Sequence, residues 1–253
     1  MPDFVFIGGP GHSGTTLLTA IMGAHPLIYS IPIETYAFRR ELPDTEIRKM
    51  LEELAAQSDK PNALYVCEKT PAHIRKADQI STLYPKAKFV FMVRDPRDVI
   101  ASFRRRGVTF EAAVNNCSRA YRSLLKAEGK HDFCKLYFED LVARPEHELE
   151  RVCDYLGIQF EPVMLEYWKS PRGWQGVTEL RKPDSPEGKK NHRLYRNWQI
   201  HQPIMKDRVG NFHNLTVDEL AYVETELASL SEKIGYKMRS KPSRVAPANG
   251  FGL

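Results

Sequence analysis

The chain has 253 residues, of which 42% are hydrophobic, 10% aromatic and 27% charged, a balance that excludes wholesale disorder and fibrous repeats. Its length suits one large α/β domain or two small ones, and no apolar run approaches the roughly 18 residues that a membrane-spanning helix needs. With 37 Lys and Arg against 32 Asp and Glu the net charge is +5, which permits an anionic ligand but is too small to argue for nucleic acid.

The opening Met1-Pro2-Asp3-Phe4 has no basic region ahead of an apolar one and does not read as a signal peptide, so a cytoplasmic setting is expected. Phe4–Gly8 (FVFIG) is an apolar run that enters Gly8-Gly9-Pro10-Gly11, and Thr15–Ala24 then has helical length and composition. Strand, glycine loop and helix open a nucleotide-type α/β unit. Further along, helices are predicted over 45–57, 72–84, 95–106, 109–126 and 145–156, and strands over 63–67, 88–93 and 133–138. This alternation argues for an α/β fold with a central parallel sheet and helices on both faces, a P-loop-type three-layer domain. The chain divides into one domain over 1–236 and a polar tail over 237–253. Within the domain, 170–198 is basic, poor in periodicity and long enough to be a functional loop. Thr216 and Glu219 form a capping box for a last helix over 216–234, closed by Gly235. Cys67, Cys117, Cys134 and Cys153 lie far apart with no metal-ligand spacing, so free buried thiols are expected, and no zinc.

Residues Gly9–Thr16 read G-P-G-H-S-G-T-T, the G-x-x-x-x-G pattern followed by two hydroxyl residues. Backbone N–H groups of such a loop, with the positive end of the following helix, cradle a phosphate. The lysine that would reach the β/γ-phosphates of a nucleoside triphosphate is absent, because Thr15 stands in its place, and no clear Walker B carboxylate follows. The loop therefore suits one 5′-phosphate better than ATP or GTP hydrolysis. A second signal is Arg94-Asp95-Pro96-Arg97-Asp98-Val99-Ile100-Ala101-Ser102, where an arginine leaves an apolar strand and a helix then carries a serine. An arginine and a hydroxyl at the carboxyl end of a central strand suit a second phosphate.

Together, His12-Ser13-Gly14-Thr15-Thr16 and the Arg94–Ser102 segment resemble the sulfotransferases that use 3′-phosphoadenosine-5′-phosphosulfate (PAPS), closest in motif style to the tyrosylprotein branch. The resemblance implies that Gly11, His12, Ser13, Gly14, Thr15 and Thr16 hold the 5′-phosphosulfate. It implies that Arg94, Ser102 and Arg106 hold the 3′-phosphate. Tyr137-Phe138-Glu139-Asp140-Leu141 is similar to the family's Y-E-D-L element and puts Tyr137 against the nucleotide. His12 departs from the Lys or Arg usual at its position, so either it is protonated beside the anion or another cation serves there.

The resemblance further implies an in-line transfer of a sulfuryl group from PAPS to an acceptor hydroxyl or amine, with no metal required. Such a transfer needs a base on the acceptor and a cation on the leaving phosphate. Glu34, in Pro32-Ile33-Glu34-Thr35, matches the branch's glutamate base, with His73 and His25 as rivals, His25 in a structural H-P element. Lys69, in Lys69-Thr70-Pro71, matches the lysine that approaches the bridging oxygen. The basic run Arg181, Lys182, Lys189, Lys190, Arg193, Arg196 corresponds to a loop that closes over the nucleotide, and Lys189 or Lys190 fits best by distance from Trp198. The expected partners are PAPS or its product PAP and an acceptor left open between small molecule, carbohydrate and peptide, with no nucleic acid and no membrane span. A P-loop kinase or NTPase and a non-catalytic anionic-nucleotide-binding module are the competing readings.

Overall fold

A computed structural model describes residues 2–39, 41–171, 173–184, 189–236 and 238, without the side chains of Gln175, Lys189, Lys190 and His192. Five strands, β1 (Asp3–Gly8), β2 (Ile28–Ser30), β3 (Tyr65–Lys69), β4 (Lys88–Val93) and β5 (Cys134–Tyr137), form one sheet in the order β2-β3-β1-β4-β5. Every pairing is parallel. The helices are α1 (Thr15–Ala24), α2 (Asp44–Ala55), α3 (Ala77–Leu83), α4 (Pro96–Arg104), α5 (Phe110–Glu128), α6 (Phe138–Ala143), α7 (Pro145–Leu156), α8 (Lys189–Ile200), α9 (Val217–Glu226) and α10 (Ala228–Lys233).

Strand periodicity sorts the core into two layers. Phe4, Phe6, Phe89 and Phe91 point to one face and pack with Ile47 and Leu51 of α2, Ile80 of α3 and Leu124 of α5. Val5, Ile7, Val90 and Met92 point to the other and pack with Leu18 and Ile21 of α1 and Leu149 and Val152 of α7. The register sets Ile7 beside Lys69 on one flank and Val90 on the other. From β1 in the middle of the sheet the chain passes to the edge at β2, returns inward through β3 to lie beside β1, then crosses to β4 and β5 on the other side. The crevice between β1 and β4 is thus the point where strand order reverses, at the carboxyl edge where open α/β sheets bind ligands.

Several elements differ from the sequence reading. The three-residue β2 lies between Leu27 and Ile31, too short to register as a run. The predicted helix over 72–84 begins as a 3-10 segment, Pro71–Lys76, before α3. The predicted helix over 216–234 has its capping box at Thr216 and Glu219 but breaks at Leu227 into α9 and α10. The weakly periodic stretch 170–198 holds a 3-10 turn at Trp174–Gly176 and most of α8, whose Leu194, Asn197 and Ile200 are buried. Among the described residues no helix is long and apolar enough to cross a membrane.

Candidate active site

Gly9–Thr16 leave β1 and open α1. Gly9 has φ 146° and Gly14 φ 100°, and a Cβ at either would lie within 2.7 Å of the Met92 carbonyl or 2.6 Å of the Phe138 ring. Both glycines are therefore required by conformation and by space. Ser13 turns inward, its hydroxyl donating to the Pro10 carbonyl at 2.8 Å. Gly14 caps α1 with no side-chain hydrogen bond, so the first N–H groups of the helix remain available to an anion. His12 holds a left-handed φ of 67°, its Nδ1 is hydrogen-bonded to Ser102 Oγ at 3.0 Å, and its ring lies 4.2 Å from that of Phe103.

A cavity beside this loop is lined by His12, Gly14, Thr16, Arg94, Ser102 and Arg106, and also by Phe138, Arg196 and Arg208. Arg94, at the end of β4, donates to the His12 carbonyl at 2.9 Å and to the Arg208 carbonyl, and its guanidinium lies 4.3 Å from the centre of the Phe138 ring. Among the described residues, Arg94 Nε, Arg106 Nη1 and Arg208 Nε are buried without a hydrogen-bond partner, although Arg208 Nε pairs with Asp207 Oδ1 at 3.6 Å. Buried charged donors are costly to leave unsatisfied, and three around one cavity fit an anionic group held there. Burial, with the nearby Arg196 charge, pushes Arg106 down to about 10. The 205–212 strap closes this side: the Gly210 N–H donates to Asp98 Oδ2 at 2.9 Å and Arg105 Nη1 to the Asn211 carbonyl at 2.9 Å.

Across the loop a wider cleft is lined by Gly11, His12, Glu34, Tyr36, Arg39, Arg75, Arg106, Arg193 and Arg196, among others. At the junction of cleft and cavity, Lys69 Nζ lies 2.5 Å from Glu34 Oε1 and 3.2 Å from Thr16 Oγ1. Lys69 is fully buried, and its ammonium sits 4.2 Å from the centre of the Trp174 ring. Burial raises the Glu34 carboxyl, but the Lys69 and Arg196 charges and the hydrogen bonds from Lys69 and Tyr36 outweigh it and hold it at about 2. Burial lowers Lys69 to about 8 despite the Glu34 carboxylate. The Tyr36 hydroxyl donates to Glu34 Oε2 at 2.5 Å.

A buried carboxylate, Glu68, fastens the segment that carries Glu34 to the end of β3. It accepts from Thr35 Oγ1 at 2.8 Å, Thr70 Oγ1 at 2.7 Å and His73 Nδ1 at 2.8 Å. His73 Nε2 accepts the Phe38 N–H at 3.4 Å, so both ring nitrogens are engaged, and the residue is 1% exposed. His25 is also a structural residue: Nδ1 accepts the Leu27 N–H and Nε2 donates to the Gln159 carbonyl at 2.8 Å. Neither histidine lines the cavity or the cleft.

The structure thus brings together Gly11, His12, Gly14, Thr16, Glu34, Lys69, Arg94, Ser102 and Arg106, with Ser13 and Thr15 buried inside the loop. Tyr137 is not among the residues that line the cavity; its hydroxyl donates to the Ile234 carbonyl at 3.3 Å and its ring stacks on Tyr236. The next residue, Phe138, opens α6 where β5 ends and does line the cavity, so the aromatic position of the Y-E-D-L element also fits Phe138-Glu139-Asp140-Leu141. The Lys189 and Lys190 side chains lie outside the described residues. Arg208 was not singled out from sequence: it is isolated beyond the basic run, and only the strap brings it back to Arg94.

A parallel α/β sheet with a phosphate loop at its first strand and cations at the switch-point crevice defines a nucleotide-type transferase fold. Residues 33–162, just over half of the chain, match the sulfotransferase family model. The chain belongs to that family. It is 27% identical over 199 residues to Protein-tyrosine sulfotransferase 2 of Gallus gallus, covering 64% of this chain and 53% of that protein. It is 25% identical to Protein-tyrosine sulfotransferase of Drosophila melanogaster, covering 67% of this chain and 41% of that protein. The chain therefore spans about half the length of these curated relatives. Among solved structures, the Sulfotransferase Domain from the Curacin Biosynthetic Pathway shares the fold with a TM-score of 0.70 at 18% identity, covering 94% of this chain and 99% of that one. Mouse sulfotransferase SULT7A1 complexed with PAP gives 0.58 at 16% identity, over 92% and 84%.

Proposed function

We propose that the protein transfers a sulfuryl group from PAPS to an acceptor hydroxyl, with Glu34 as general base and Lys69 on the leaving phosphate. The observation that carries this reading is the junction at Thr16. Lys69 joins Thr16, on the phosphate-loop side, to Glu34, on the cleft side, within one hydrogen-bonded group. In the transfer the acceptor oxygen bonds to sulfur, the bond from sulfur to the bridging phosphate oxygen breaks, and the acceptor proton passes to Glu34 Oε. Lys69 stabilises the negative charge that grows on the departing oxygen.

Glu34 stays ionised at neutral pH because Lys69 and Arg196 hold it so, and it is ready to take a proton. Its basicity rises once Lys69 turns its charge toward an incoming anion. On the other side Arg94, Ser102 and Arg106 take the 3′-phosphate, and Phe138 offers a ring face to the nucleoside. The curated relatives make a tyrosyl hydroxyl the first acceptor to test. A cleft lined by Arg39, Arg75 and Arg193 is compatible with a peptide carrying acidic groups.

PAP without magnesium should stabilise the protein against heat. At a hundredfold excess over Kd the gain is about 2.7 kcal/mol. For a chain of this size that is a Tm rise of about 5–10 °C. A magnesium-dependent rise with ATP and none with PAP would contradict the reading.

A further inference from the structure

The phosphate loop has an imidazole where the family resemblance sets a lysine or arginine, and that imidazole is engaged with α4. His12 rests on Phe103 and is hydrogen-bonded to Ser102 on α4, the side expected to hold the 3′-phosphate. At Thr16 a different cation is in place. The guanidinium of Arg196 donates from Nη1 to Thr16 Oγ1, on the same oxygen that Lys69 Nζ approaches. Arg196 lines both the cavity and the cleft, the only residue besides His12 and Arg106 to do so among those described. Its helix is firmly seated. Asn197, fully buried, accepts the Trp174 N–H at 2.9 Å and donates to the Glu179 carbonyl at 2.9 Å, and the Trp174 ring covers Lys69.

We propose that Arg196, delivered by α8, supplies the positive charge the phosphate loop lacks and contacts the 5′-phosphosulfate end of the nucleotide. The inference rests on the PAPS reading above. Two cations, Lys69 and Arg196, converge on Thr16, where an anion on the phosphate loop would meet both. The exchange accounts for a chain that tolerates His12: the charge has moved from the loop to a helix far along the sequence.

The test measures affinity for PAP and for 5′-AMP, which lacks the 3′-phosphate, by calorimetry. The variants are Arg196→Gln, Arg196→Lys, His12→Arg and the double variant His12→Arg/Arg196→Gln. Loss of one charge-assisted contact should weaken both nucleotides about 10- to 100-fold in Arg196→Gln, with partial recovery in Arg196→Lys and in the double variant. His12→Arg alone should gain little, because its charge is already supplied. The proposal is overturned if Arg196→Gln weakens PAP but not 5′-AMP, which would put Arg196 at the 3′-phosphate. It is equally overturned if the double variant binds no better than Arg196→Gln, or if His12→Arg alone gains tenfold or more. A wild-type protein that binds neither nucleotide would refute the PAPS reading itself, a result distinct from all of these.

Discussion

Replacing Glu34 by Gln keeps the shape of the junction and removes both its base and the carboxylate paired with Lys69. General-base catalysis contributes about 10²- to 10⁴-fold, and turnover should fall by that amount. A second effect follows from Lys69. Burial already lowers it to about 8, and the Glu34 carboxylate is the main influence raising it. Without that carboxylate the ammonium loses its proton at lower pH still, so the deficit of the variant should widen as pH rises toward about 8. Nucleotide affinity should be kept or increased, since a negative charge near the anion site has been removed. The assay is transfer of label from PAPS at two pH values, with PAP affinity measured in parallel. Turnover within about threefold of wild type would refute the assignment of Glu34 as base. A parallel collapse of PAP affinity would make Glu34 a binding residue instead.

The pH profile offers an independent check. kcat/KM for PAPS should decline as pH rises through about 8, where Lys69 loses its proton, and stay flat on the acid side of neutrality because Glu34 is held at about 2. An acid limb near pH 6.5, the ordinary histidine value, would point to an imidazole base. Arg106→Ala should weaken PAP about 10- to 100-fold while leaving 5′-AMP within about twofold, read by calorimetry; equal losses would place Arg106 elsewhere on the nucleotide. Glu68→Gln sets an amide N–H₂ or a lone oxygen among Thr35, Thr70 and His73, all of which donate to the carboxylate. Breaking such a buried arrangement costs about 3–5 kcal/mol, so thermal unfolding should show Tm about 6–20 °C lower. An unchanged Tm would mean that Glu68 does not fasten the Glu34 segment.

Much of the architecture is legible in the sequence because its signals are local. The apolar run before Gly8, the glycine loop and the helix after Gly14 are contiguous, and the run Lys88–Val93 ends where Arg94 begins. What escapes is set by tertiary context. β2 exists through its pairing with β3, since three residues carry no periodicity of their own. Tyr137 and Phe138 are both aromatic, and which of them lines the cavity depends on where β5 gives way to α6. The Glu68–His73 pair, five residues apart, depends on the 3-10 turn after Thr70, so His73 reads from sequence as a free base when both its nitrogens are engaged. Arg196 is legible as one member of the basic run but not as the member that reaches Thr16, and Arg208 reaches the site through the 205–212 strap with no local motif to mark it.

The central claim is that this junction moves a sulfuryl group. Incubation with sulfur-labelled PAPS and tyrosyl peptides, with carbohydrate and small-molecule hydroxyls alongside, tests it most directly, Glu34→Gln serving as the blank. The account predicts label on at least one hydroxyl acceptor with the wild-type protein, metal-free, and a loss of about 10²-fold or more in the blank. PAP binding with no transfer to any acceptor, or transfer that the Glu34 variant performs equally well, would contradict it.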